Sequence, residues 1–120
     1  MTRTLRIAVA DDDADFRQYF RRLLPRLGYE VVGEAKNGRE LVDLCRSEEP
    51  DLVITDIMMP EMTGIEAATE IGKTQTIPII VLSSRDRPSS NDHPCIVDYL
   101  VKPVTIPELK AAITKASSSA

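Results

Sequence analysis

The segment Asp51-Leu52-Val53-Ile54-Thr55-Asp56-Ile57-Met58-Met59-Pro60 decides what kind of molecule this chain makes. Its run from Leu52 to Thr55 is apolar and β-branched. It is bounded by Pro50-Asp51 on one side and by Pro60 on the other, with Gly64 in the same loop. A run this short and this apolar predicts a strand buried on both faces, as in a parallel sheet. The strand ends in a carboxylate. Open α/β sheets carry their ligand chemistry at the carboxyl ends of the strands, which is where Asp56 stands. Taken alone, an Asp at this place serves equally well to start a turn.

The flanking sequence repeats the pattern. Leu5 to Ala10 predicts a first strand that runs directly into Asp11-Asp12-Asp13-Ala14-Asp15. Phe16, Phe20, Leu23, Leu24 and Leu27 follow at helical spacing, with Arg17, Arg21, Arg22 and Arg26 largely opposite. Asp13 or Asp15 can cap that helix, Pro25 kinks its last turn, and Gly28 can close it in a left-handed conformation. Tyr29 to Val32 predicts a short second strand, and Asn37-Gly38-Arg39-Glu40 a capping box opening a second helix. Thr63-Gly64-Ile65-Glu66 opens a third helix in the same way. Ile77 to Leu82 predicts a strand ending in Ser83-Ser84, with Pro78 tolerable near its start. Arg85 to Pro94 is rich in turn formers, so a helix there is expected to be short, distorted or missing. Ile96 to Val101 predicts a fifth strand, Lys102-Pro103 follows, and Thr105 opens a last helix carrying Leu109, Ala112, Ile113 and Ala116. Strand and helix alternate throughout, which predicts a doubly wound α/β fold on a five-stranded parallel sheet.

Bulk properties narrow the function. At 120 residues the chain is one domain, with 1–116 folded and 117–120 a disordered tail or the start of a linker. A hydrophobic content of 42% and a charged content of 28% are those of a soluble globular protein. The net charge of -4 gives no electrostatic reason to bind nucleic acid through this domain. No apolar run approaches the roughly 20 residues of a membrane span. The apolar start is shorter than a signal-peptide core and stops at three aspartates, so a cytoplasmic protein is expected. Cys45 and Cys95 lie far apart without ligand-like spacing and predict reduced, structural thiols. His93, beside Pro94, is expected in an exposed loop.

The polar residues at the strand ends carry the chemistry. Asp11 and Asp12 follow the first strand, Asp56 ends the third, Ser83 the fourth, and Lys102 the fifth. If the first and third strands are neighbours, three carboxylates converge and repel unless a cation sits between them. Hard oxygen ligands without His or Cys favour Mg²⁺. A carboxylate beside such an ion can attack a phosphoryl group, while Lys102 pairs with the new anion and Ser83 donates a hydrogen bond to it.

These motifs together resemble the receiver domain of two-component response regulators, over essentially the whole chain. The resemblance rests on Val9-Ala10-Asp11-Asp12-Asp13, on Asp56-Ile57-Met58-Met59-Pro60 with Gly64, on Leu82-Ser83-Ser84, and on Asp98-Tyr99-Leu100-Val101-Lys102-Pro103. It implies a flavodoxin-like sheet of order 2-1-3-4-5. It also implies that Asp56 takes phosphate from a histidine of a sensor kinase or of a histidine phosphotransfer protein. Asp12 then resembles the direct Mg²⁺ ligand, Asp11 a ligand acting mainly through water, and the Met58 backbone carbonyl a further ligand. Ser83 resembles the switch hydroxyl and Tyr99 the aromatic that changes rotamer with it. Lys102 resembles the phosphate-pairing lysine, preceding a cis bond to Pro103. Met58 and Arg85 fall where family members tune the lifetime of the phosphorylated state. A domain of this kind is a switch rather than an enzyme. It phosphorylates itself from small donors with Mg²⁺ and dephosphorylates slowly.

Two other functions fit parts of the sequence. The shortened interval between Ser83 and Lys102 touches the face through which receivers commonly pair or meet a downstream target. A receiver-like interaction module acting without phosphate is therefore one alternative. Asp11-x-Asp13 after the first strand suggests another, a magnesium-dependent phosphatase of the haloacid-dehalogenase type with Asp11 as nucleophile, though the chain has little room for a substrate cap.

Overall fold

The computed structural model describes residues 4–84 and 95–118. Among them the elements in chain order are β1 (Arg6–Ala10), α1 (Ala14–Arg26), β2 (Glu30–Ala35), α2 (Gly38–Glu48) and β3 (Leu52–Asp56), followed by α3 (Gly64–Gly72), β4 (Ile79–Ser83), β5 (Ile96–Val101) and α4 (Ile106–Ser118). The strands make one parallel sheet in the order β2-β1-β3-β4-β5. This is the expected flavodoxin-like, doubly wound topology. The expectation that a helix over Arg85 to Pro94 is short, distorted or missing falls outside the described residues, as do Arg85 and His93.

Strand period divides the core into two layers. Ala8 and Ala10 of β1, Val53 of β3 and Ile79 and Val81 of β4 face α2 and α3, where Leu41, Cys45, Ala68 and Ile71 meet them. Their neighbours Ile7, Val9, Ile54, Ile80 and Leu82 face α1 and α4, against Phe20, Leu24, Leu109 and Ile113. Burying each such large side chain contributes about 1.5–3 kcal/mol. Helix propensities are worth less than about 1 kcal/mol per residue. Packing on both faces therefore decides that helices cover this sheet.

Caps set where the helices begin. Asp13, not Asp15, caps α1, accepting the Asp15 N–H at 2.9 Å. Pro25 lies within the last turn of α1, and Gly28 follows at φ 94°. Asn37 caps α2 by accepting the Glu40 N–H at 2.8 Å, but the Glu40 carboxylate reaches back to the Lys36 N–H instead of closing the box on Asn37. Thr63 and Glu66 make the full reciprocal box at α3.

Three boundaries differ from the sequence reading by two residues or more. β2 runs from Glu30 to Ala35 rather than stopping at Val32, because Gly33, Glu34 and Ala35 continue the ladder against Ala8, Val9 and Ala10 after a register shift. β4 begins at Ile79 rather than Ile77; Pro78 has no N–H to give, and only its carbonyl joins the ladder, accepting from Val53. α4 continues to Ser118, two residues into the stretch expected to be a tail.

Candidate functional site

Sheet register assembles the site. Ala10 pairs with Thr55, so Asp11 and Asp56 leave adjacent strands side by side. Asp56 pairs with Leu82 on its other flank, which puts Ser83 one step further along the same rim. Ser83 pairs with Val101, and the next residue is Lys102, whose N–H donates to the Ser83 carbonyl at 2.7 Å. Residues far apart in sequence thus meet at the carboxyl ends of β1, β3, β4 and β5.

One oxygen from each of Asp11, Asp12 and Asp56 lies within 4.8 Å of the others. Asp11 is 2% exposed, Asp56 is part-buried and Asp12 is open to solvent. The Lys102 ammonium bridges two of them, at 3.2 Å from Asp11 Oδ2 and 3.5 Å from Asp56 Oδ1. The other Asp11 oxygen accepts the Asp13 N–H at 2.9 Å. Three carboxylates against one ammonium leave the cluster short of positive charge. Burial pushes the Asp56 carboxyl above its usual range and the neighbouring Asp11 adds to this, while Lys102 and the Ile57 N–H pull the other way. The donor set is all oxygen, and its spread is on the scale of the roughly 4 Å between opposite oxygens of a Mg²⁺ shell. These residues fit a small hard dication.

The loop after β3 is fixed closely. The Thr55 hydroxyl, fully buried, donates to the Asp56 carbonyl at 2.9 Å. Ile57 N–H donates to Leu82 O at 3.2 Å, and Gly64 N–H to Ile57 O at 2.8 Å. A Cβ on Gly64 would stand 2.1 Å from the Asp56 carbonyl oxygen, so only glycine lets α3 start this close. Met58 projects its side chain outward, 70% exposed. Ser83 is buried at the end of β4. Tyr99 is buried in the core layer of α2 and α3, two residues before Val101 and opposite Val81. The Lys102–Pro103 peptide is cis.

Three residues take part here that periodicity and motif did not single out for the site. The Phe16 ring lies under the Lys102 ammonium, 4.0 Å from centroid to nitrogen. Arg17 donates through Nη1 to the Asp11 carbonyl at 2.7 Å, tying the start of α1 to the end of β1. Thr55 reads as one more β-branched strand residue. Phe16 and Arg17 both fall on the first turn after the aspartate run, and that adjacency was the available signal.

The family profile described as "Response regulator receiver domain" matches residues 7–114. The chain belongs to that family. It is thus a receiver domain of the two-component type. It is 42% identical over 116 residues to the transcriptional regulatory protein PdtaR of Mycobacterium tuberculosis, covering 94% of this chain and 57% of that protein. To the chemotaxis protein CheY of Thermotoga maritima it is 37% identical over 116 residues, covering 93% of this chain and 97% of that one. Among solved structures, the response regulator TrrA of Thermotoga maritima, in complex with Mg²⁺-BeF, superposes with a TM-score of 0.84 at 35% identity, covering 94% of this chain and 99% of that one. A signal receiver domain of an HD domain-containing protein from Pseudomonas fluorescens superposes with a TM-score of 0.88 at 25% identity, covering 98% and 97%. This receiver therefore spans just over half of PdtaR and nearly all of CheY. No helix among the described residues is long and apolar enough to cross a membrane.

Proposed function

We propose that this receiver is a phosphoacceptor switch, with Asp56 as the acceptor and Mg²⁺ held by Asp11, Asp12, Asp56 and the Met58 carbonyl. One observation carries it: three carboxylates share a 4.8 Å cluster with a single ammonium 3.5 Å from Asp56. Asp56 is also the better nucleophile of the two inner acids. Its side chain is 13% exposed against 2% for Asp11, so an incoming phosphoryl group reaches it more readily. That supports Asp56 over a phosphatase built on Asp11.

A carboxylate oxygen of Asp56 attacks the phosphorus of a phosphohistidine on a sensor kinase or phosphotransfer protein. The P–O bond forms as the P–N bond breaks, the imidazole leaves with the electron pair, and Asp56 becomes an acyl phosphate. Mg²⁺, when bound, neutralises charge on the phosphoryl oxygens. Lys102 keeps contact with the anion as it grows outward from Asp56, and Ser83 donates a hydrogen bond from the next strand. The modified site then favours one of two conformations of the domain, which a downstream protein distinguishes. Tyr99, buried beside β4, reports the Ser83 position to the fold. The domain turns over no other substrate.

Acetyl phosphate with Mg²⁺ labels the wild type and leaves Asp56→Asn unlabelled, as read by intact mass. Equal labelling of both, or partner binding indifferent to Asp56→Asn, rejects the switch in favour of another acceptor or of a module that works without phosphate.

A further inference from the structure

We propose that Phe16 is a positioning residue for Lys102, its ring face holding the ammonium in reach of whatever anion stands on Asp56; this rests on Asp56 being the phosphoacceptor. An ammonium has three donors and no acceptor. Those of Lys102 face Asp11 Oδ2 at 3.2 Å and Asp56 Oδ1 at 3.5 Å on one side, and the Phe16 ring, 4.0 Å from nitrogen to centroid, on the other. The separation lies well inside the roughly 6 Å within which a ring quadrupole attracts a cation.

The ring is itself held. Phe16 sits in the first turn of α1 and meets Phe20 with ring centroids 5.8 Å apart and Tyr19 edge-on at 6.3 Å. The following residue, Arg17, is hydrogen-bonded to the Asp11 carbonyl. The lysine stem is anchored by the Lys102 N–H to Ser83. Its side chain is only 17% exposed, so with the ring in place the ammonium is largely withdrawn from water.

An aromatic face attracts the ammonium without competing as a carboxylate does. It limits where the charge can swing yet lets it leave Asp11 for a new anion. An aliphatic side chain of similar bulk fills the space and supplies no such attraction.

The test uses wild type, Phe16→Leu, Phe16→Met and Phe16→Tyr. In metal-free buffer, NMR of the wild type shows the Lys102 ε-protons displaced upfield by the ring current. That displacement is lost in Phe16→Leu and Phe16→Met and kept in Phe16→Tyr. That pattern reports the contact alone; the positioning role is read from ligand affinity, which a merely space-filling ring would not move. With Mg²⁺ present, affinity for beryllofluoride falls about fivefold to tenfold in the two aliphatic variants and stays within about twofold of wild type in Phe16→Tyr. Lys102 resonances unchanged by Phe16→Leu and Phe16→Met overturn the contact. Undiminished beryllofluoride affinity in a folded aliphatic variant overturns the positioning role even if the ring-current shift is gone. A wild type that shows the shift but binds no beryllofluoride overturns the phosphoacceptor assignment, and the role of Phe16 in it.

Discussion

At the scale of single residues, Asp56 is held in a place that suits its charge poorly until a cation arrives. Burial raises its carboxyl above the ordinary range in the fold, with Asp11 adding and Lys102 opposing. Ionising it therefore costs folding free energy. The cost is absent below the ordinary aspartate value of about 3.9. It grows as pH rises through that value and is complete above the raised folded one. Asp56→Asn is accordingly expected to raise the urea midpoint in metal-free buffer at neutral pH, with the gain vanishing in acid. The stabilisation by Mg²⁺, about 2.7 kcal/mol at a hundredfold excess over its Kd for an intact site, is expected to fall to a small fraction of that. A variant less stable than wild type without metal means that the carboxylate is not under-compensated. The acids and the lysine were legible in the sequence because each sits at a strand end. The ring of Phe16 was not, since spacing alone assigns it to the apolar stripe of α1 and says nothing of what lies above it.

At the scale of elements, the joint between β3 and α3 leaves the least freedom. Gly64 brings the first turn of α3 against the Asp56 carbonyl, and the atom that a Cβ would strike is backbone. Gly64→Ala gains up to about 1 kcal/mol of helix propensity. The displacement it forces costs about 1–3 kcal/mol and wins, since neither side can yield. Urea unfolding should show a net loss, together with weaker Mg²⁺ binding as the Asp56 loop shifts. A net gain would mean that α3 moves freely from the rim. The capping residues at Asn37, Thr63 and Thr105 marked their helices well in the sequence, each with a Glu three residues on. β2 was harder. Gly33 and Glu34 look like the end of a strand, yet Gly33 continues the ladder with Leu44 of α2 packed over it: a Cβ would meet the movable end of that side chain, Cδ1, at 2.5 Å. A helix packing onto a strand leaves no local trace of that kind.

At the scale of the whole molecule, the alternation of short apolar runs with amphipathic helices was enough to give the architecture, because a sheet covered on both faces needs that pattern. Which strands are neighbours came from resemblance, since nothing in a single strand names its partner. The double covering makes a further prediction. Cys45 of α2 is fully buried, and burial pushes its thiol up to about 12. In the unfolded chain the same thiol ionises near 8.5. Stability is untouched below that value and falls as pH rises from there toward about 12, and Cys45→Ala should flatten this alkaline decline. At pH 8 an alkylating reagent should reach Cys45 only through global opening, more slowly when Mg²⁺ is present; rapid modification of the native protein would mean that the layer opens locally. Finally, the acids stand on β1 and β3, each laced to a neighbour along both margins, whereas the lysine stands at the tip of β5, stitched among the described residues along one margin only. If the proposed switching draws the pocket together, the outer stave is expected to yield first and to carry the outward-facing Val101, and Ile106 just beyond it, so that the event is written on the exterior.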